Sequence, residues 1–261
     1  MTAAACSVVA GVEGCKAPLD GFLARNPFDD PLTLGFFYRE KMRAIHRVTP
    51  EAPLLDILEV GGGTGGLTAL LYPWSRVINV DFDPQFGTAA TNLQPRVRFV
   101  CGDATAVPFE DDSFDAVTMF DVLEHIPDDA KAACEALRVL RPGGYLMASS
   151  PNETWRFPYY SFLRRFCPTE EAMFAEWGHV RRGYATEEVE SLFGLRCQTS
   201  ATFISPVTVL CHDIAFSRLP ARAKRVLCAA LAPVTWLGYA VHRAGSRGTE
   251  TAWRWQKTGV P

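Results

Sequence analysis

The chain has 261 residues, 48% of them hydrophobic and 21% charged, a composition that can bury a sizeable core and excludes a disordered chain. Its net charge of −3 conceals an asymmetry: residues 191–261 carry nine Lys/Arg against two acids, so the remainder is strongly acidic. Eight cysteines without a C-x-x-C pair exclude a disulfide framework and a zinc knuckle, and suit a reducing cytoplasm.

Residues 1–32 read as a flexible lead-in, and the lack of Lys or Arg before the weakly apolar run at the start argues against a signal peptide. "TLGFFYREKMRAIHRV" (33–48) reads as an amphipathic helix over one edge of a sheet. On it, Tyr38 is either a ligand contact or, like Phe36 and Phe37, a packed aromatic. Apolar segments then follow at 54–60, 76–81, 97–101, 114–120 and 144–150, alternating with helical patterns in the rhythm of strand-helix units that feed a parallel sheet. The helix after the fourth strand starts near Asp128 and Asp129, repeats apolar residues at Ala133, Leu137 and Leu140, and stops at "RPGG".

Farther on, 185–194 is a short helix with Thr186 as cap and Gly194 as stop. "LRCQTSATFI" and "TAWRWQK" read as two closing strands, separated by an apolar, basic insertion over 205–248. Its uncharged run, 226–241, is shorter than the roughly 20 residues that span a bilayer, and Pro233 is expected to break it. Arg222, Lys224 and Arg225 before it and His242 and Arg243 after it suit a weak peripheral contact with anionic lipid through 222–243. The competing readings are a buried helix pair and a dimer contact. No aromatic-basic nucleic-acid module is recognisable, so DNA is not expected as a partner.

The stretch "ILEVGGGTGGLTALL" (57–71) fits two cofactor turns. Gly61, Gly63 and Gly66 spell the dinucleotide pattern G-x-G-x-x-G, while Glu59, Gly61, Gly63 and Gly65 spell E-x-G-x-G-x-G, a turn for S-adenosylmethionine. Asp81, at the end of the second strand, suits the ribose of either ligand. Three features favour the second. Glu59, inside a buried strand, needs a cationic or donor partner, which an ammonium group supplies and a pyrophosphate does not. Asp103 can accept from an adenine amino group while the Ala104 N–H donates to the ring. Finally, none of the seven tyrosines has Lys four residues later, the pair a short-chain dehydrogenase of this size requires.

With "LEVGGGTGG", "VDFDP", "GDATAVPFEDDSFDAV", "DVLEHIPD" and "LRVLRPGGYLMASSPN" in this order, the chain resembles class I S-adenosylmethionine-dependent methyltransferases, and within them the group of ubiquinone and menaquinone methylases. The resemblance implies an α/β, Rossmann-like, seven-stranded, mostly parallel sheet with an antiparallel last strand, a helical N-terminal segment and a helical insertion before that strand. It implies one domain over 33–261, with a cofactor core at 54–152 and acceptor-covering insertions at 153–184 and 205–248. Carried over by position, Glu59, Gly61, Gly63 and Gly65 flank the methionine portion, Asp81 the ribose, and Asp103 with Ala104 the adenine, while Asp121 faces the methyl donor. Asp83, where the family often has Ser, reads as a helix cap.

Methyl transfer depends chiefly on positioning, so a general base is a secondary need. His125, after the fourth strand, is the leading base; a loop histidine that caps or packs is the plain alternative. A metal role with Asp121 and Glu124, as in ubiquinone-type O-methylases, is a third, and no metal is assigned. His179 is a second candidate base, whereas His46 and His212 read as structural. "WRFPYYSFLRRF" (155–166) either stacks a planar acceptor or packs a core. The expectation is a cytoplasmic enzyme that O-methylates a small or lipophilic molecule, with C- or N-methylation of a lipid, quinone or natural product as the alternative. A NAD-type dehydrogenase and a silent nucleotide-binding module are the readings from other classes.

Overall fold

The computed structural model describes residues 12–64 and 66–258. Seven strands, β1 (Asp56–Val60), β2 (Arg76–Asp81), β3 (Val97–Cys101), β4 (Phe114–Phe120), β5 (Leu140–Pro151), β6 (Thr199–Phe203) and β7 (Glu250–Gln256), form one sheet in the order β3-β2-β1-β4-β5-β7-β6. The β3-β2-β1-β4-β5 pairs are parallel, and β7 runs antiparallel to both of its neighbours. The mostly parallel Rossmann-like sheet and its reversed last strand are therefore as expected.

Alternation along the strands supplies two cores. Ile57 joins the face covered by the helices α1 (Leu19–Leu23), α2 (Leu34–Val48) and α3 (Leu67–Leu71), with Phe22, Met42, Ile45 and Leu71. Leu58 joins the opposite face, where α4 (Asp129–Val139) and α6 (Thr186–Phe193) lay down Ala133, Val139, Val189 and Phe193 against Trp253 and Trp255. Asp128 caps α4 by accepting the Lys131 N–H at 3.1 Å, and Asp83 caps a 3-10 turn by accepting the Gln85 N–H at 2.9 Å. A third, aromatic cluster of Trp155, Phe157, Leu163 and Met173 gathers around α5 (Glu170–Trp177).

Three local expectations are corrected. The lead-in is packed in part: α1 puts Phe22 and Leu23 into the core, because their burial outweighs the cost of ordering a short helix. Residues 1–11 of that segment lie outside the described residues. Thr186 is not the cap of α6, since Ala185 holds that position and donates its N–H to Glu188, while the Thr186 hydroxyl accepts from Trp253 Nε1 at 3.0 Å.

The 205–248 insertion forms α7 (Val209–Ala215) and α8 (Ala221–Val241), and α8 runs through Pro233 without breaking. Packing of Cys228, Thr235 and Gly238 on the body of the protein offsets the roughly 3 kcal/mol that an internal proline costs. Among the described residues, no helix is long and apolar enough to cross a membrane.

Candidate active site

The site begins where β1 ends. Gly61 turns at φ +70° and donates its N–H to the Val80 carbonyl at 2.8 Å; a Cβ there would lie 2.1 Å from Val122, so neighbouring packing alone demands glycine. Gly63, at φ +56°, differs, because a Cβ there would meet no atom within 4 Å. Its backbone faces open space, and its N–H donates to Asp81 Oδ2 at 2.8 Å. Gly65 lies outside the described residues.

Glu59 lies beneath this loop, 3% exposed. Its Oε1 accepts from the Thr68 N–H (3.1 Å) and hydroxyl (2.7 Å), pinning the first turn of α3, whereas Oε2 is buried with no hydrogen-bond partner among the described residues. Burial pushes its pKa up despite the bonds from Thr68. Glu59 does not itself line the cavity. The orphaned oxygen under an exposed glycine backbone nonetheless fits a ligand that brings a donor or a cation, such as S-adenosylmethionine, and fits a diphosphate poorly.

A cavity of about 420 Å³ lies against the loop. From the first three strands come Gly61, Gly63, Asp81 and Ala104, with Phe82 and Phe86; from the segments after β4 and α5 come Asp121, Val122, His125, Ile126, Trp177 and Gly178. Asp103 stays outside the lining, its Oδ1 accepting the Thr105 N–H at 2.8 Å, and that bond lowers its pKa. Tyr38 is also outside, packed edge-on against Phe28 at 5.1 Å, so packing is the reading that the geometry supports. Phe82 and Phe86 were not singled out from sequence, although an aromatic directly after the ribose acid is a readable signal of an adenine-side surface.

Asp121 does line the cavity, in a left-handed conformation (φ +49°) that a non-glycine residue adopts only under constraint. The constraint is visible. Its N–H donates to the Ser149 carbonyl, Oδ1 accepts from the Ser149 hydroxyl at 2.5 Å, and Oδ2 lies 2.5 Å from Lys41 Nζ. Burial pulls the Lys41 pKa down, but the Asp121 charge outweighs it and holds the ammonium above its ordinary range. Around this pair, burial and then the charge of Asp121 raise the pKa of Glu124 well above its ordinary value and that of Glu250 to about 8, so Glu250 carries a proton at neutral pH.

His125 also lines the cavity, its Nδ1 3.2 Å from the Gly178 carbonyl. A carbonyl only accepts, so Nδ1 carries the hydrogen and Nε2 of the neutral ring keeps its lone pair. His179 stands perpendicular to it at a 4.7 Å ring separation and is boxed by Trp155, Phe174 and Trp177. Burial, then the nearby His125, lower its pKa to about 4, and it does not reach the cavity, which disfavours it as a base.

Ligand atoms of Glu124, His125 and His179 all lie within 4.8 Å of one another and could hold a metal ion. This corrects the composition of the possible metal set: Asp121 is engaged by Lys41, and His179 takes its place. Of the other histidines, His46 donates from Nε2 to the Ala17 carbonyl at 3.0 Å and His212 packs against Phe37 and Phe216. Of the 155–166 aromatics, Trp155 and Phe157 are buried in a core with Tyr160 and Phe166 against it, while Phe162 is exposed; none of them lines the cavity, which Trp177, farther along, reaches.

A methyltransferase-domain family matches residues 58–148. A Mycobacterium tuberculosis protein described as a probable S-adenosylmethionine-dependent methyltransferase is 34% identical over 118 residues, covering 45% of this chain and 43% of the relative. The chain thus spans less than half the length of that relative. A demethylmenaquinone methyltransferase of Thermus thermophilus is 34% identical over 172 residues, 61% of this chain and 77% of the relative. Among solved structures, the N-methyltransferase NodS of Bradyrhizobium japonicum in complex with S-adenosylhomocysteine matches with a TM-score of 0.56 at 18% identity, over 92% of this chain and 97% of that one. At that identity the likeness concerns the fold alone.

Proposed function

We propose that this chain, which belongs to the S-adenosylmethionine-dependent methyltransferase family, methylates a hydroxyl oxygen on a small or lipophilic acceptor, quinol-type aromatics being the leading class. When bound, S-adenosylmethionine supplies a sulfonium methyl open to in-line attack. The Gly61–Gly63 backbone and Glu59 serve the methionine portion, Asp81 the ribose, and Ala104 with Asp103 the adenine, while Phe82 and Phe86 cover the base from water. Asp121, braced by Lys41 and Ser149, shapes the end of β4 beside the transferring methyl. His125 Nε2 takes the acceptor's hydroxyl proton as the oxygen–carbon bond forms and the carbon–sulfur bond breaks, its electron pair staying on sulfur; the proton then leaves to solvent. Orientation supplies roughly 7–11 kcal/mol of such a reaction and a general base about 10²–10⁴-fold.

One observation carries this reading: His125 shares a cavity with Gly63 and Asp81, and its bond to Gly178 leaves a basic nitrogen available. A second reading, transfer to a ring carbon of a quinol, is favoured by the Thermus thermophilus relative, which is named for demethylmenaquinone. Incubation with methyl-labelled S-adenosylmethionine and a menaquinol-type quinol tests both. An O-methyl product supports the first reading and a ring-methyl product the second; no transfer to any hydroxylated aromatic contradicts the acceptor class.

A further inference from the structure

Helix α8 presents an apolar face to solvent. Val226 (68% exposed), Val234 (57%), Leu237 (63%) and Val241 (64%) project from the protein. With Arg222 and Ala230 they are spaced three or four residues apart, which places them on one side of the helix. Its other side, Cys228, Thr235 and Gly238, is buried against the body of the protein. Flanking the stripe, Arg218, Arg222, Arg225, Arg243 and Arg247 are exposed, and among the described residues none of the five is ion-paired. No acid occurs between Asp213 and Glu250.

We propose that α8 is an interfacial anchor that lies in the plane of an anionic lipid bilayer, its apolar stripe at the headgroup boundary and its flanking arginines on lipid phosphates. The helix is unable to cross a membrane, so it lies on one. Charge complementarity selects the occupant. Both ends of the stripe carry uncompensated positive charge, which a phosphate-rich surface neutralises, whereas a second copy of the chain brings the same five cations to the contact.

The anchor is tied to the active site through α2. Arg43 stacks 3.5 Å from the Tyr239 ring and donates to the Tyr239 carbonyl at 2.7 Å, while Lys41, on the same helix, holds Asp121. The inference itself stands on α8 and its flanks, and does not require the acceptor reading to be correct.

Co-sedimentation of the full chain with vesicles tests it, using phosphatidylcholine alone and an equal mixture with phosphatidylglycerol, at low and high salt. The proposal requires binding to the mixed vesicles, lost at high salt. Replacing two cations, Arg222→Gln with Arg225→Gln, should weaken binding roughly 30-fold, given a tenfold loss for each 1.4 kcal/mol. Val234→Glu with Leu237→Glu should weaken it by at least about tenfold. Far-ultraviolet circular dichroism and S-adenosylhomocysteine affinity should stay unchanged in both variants, since all four positions are on the surface. Absence of binding to mixed vesicles overturns the proposal, as does equal binding by wild type and both variants. So does a dimer in ultracentrifugation that dissolves in Val234→Glu/Leu237→Glu while vesicles are ignored, since that assigns the face to a second copy.

Discussion

Lys41 Nζ on α2 lies 2.5 Å from Asp121 Oδ2 at the end of β4, so a helix from the N-terminal part of the chain is latched onto the cavity wall by one charge pair. The latch holds Asp121 in its positive-φ turn beside Glu124 and Glu250, two carboxyls whose pKa burial and then the Asp121 charge raise. Lys41 thus sets a buried cation against this cluster of acidic side chains.

Lys41→Met should lower stability by about 2 kcal/mol, between the value of an exposed pair and the cost of breaking a buried one. Urea unfolding of Lys41→Met, Asp121→Asn and the double variant measures this. The account expects the double variant to lose less than the sum of the singles; strict additivity would mean that the pair is geometrically close but energetically idle.

Asp81 both braces Gly63 and lines the cavity, whereas Asp103 is exposed and engaged with Thr105. Asp81→Ala should therefore weaken S-adenosylhomocysteine by roughly 30-fold or more and Asp103→Ala by at most about tenfold. Calorimetry that found the opposite order would place the ribose somewhere other than Asp81.

His125→Ala should slow methyl transfer by about 10²–10⁴-fold with the affinity for S-adenosylhomocysteine kept. His179, whose pKa of about 4 leaves it neutral and which lies behind His125, should tolerate Asn with less than about a tenfold loss. Single-turnover rates separate the two, and wild-type chemistry in His125→Ala would return that residue to a packing role.

Glu40, 1% exposed, has its pKa raised by burial from 4.5 to about 8, with Thr208 donating to it at 3.2 Å. Between those values the folded state keeps a proton that the unfolded chain has released, so the Glu40 contribution to stability is full below pH 4.5 and declines as pH rises towards 8. Glu40→Gln retains an acceptor for the Thr208 hydroxyl and cannot ionise. It should match wild type near the acid end of this window and exceed it by about 4 kcal/mol at the alkaline end. Urea unfolding at the two ends checks this, and parallel pH profiles would show that Glu40 is not held neutral.

Strands β2, β3 and β4 begin and end where their apolar runs do; in the central β4, buried on both faces, burial is written directly into composition, whereas the edge strand β3 is only half-buried. Gly63, Asp81, Ala104, Asp121 and His125 were legible for a related reason: each lies at the carboxyl end of a strand or in the loop just after it, and the topology brings those ends to one edge. What escaped depends on partners distant in sequence. Lys41 acquires its role only when α2 reaches Asp121, eighty residues on, and Thr186 is drawn from capping by Trp253 on β7. Pro233 stays helical because α8 has a surface to pack on, and no local rule contains that surface. Glu59 was read correctly as a buried acid in need of a partner, but Thr68 meets half of that need within the fold.

The most direct measurement is calorimetric titration of the full chain with S-adenosylhomocysteine and, separately, with NAD. Saturable binding of one S-adenosylhomocysteine per chain, with no heat from NAD, is the predicted result. Tight NAD binding by a protein indifferent to S-adenosylhomocysteine would contradict the account at its root.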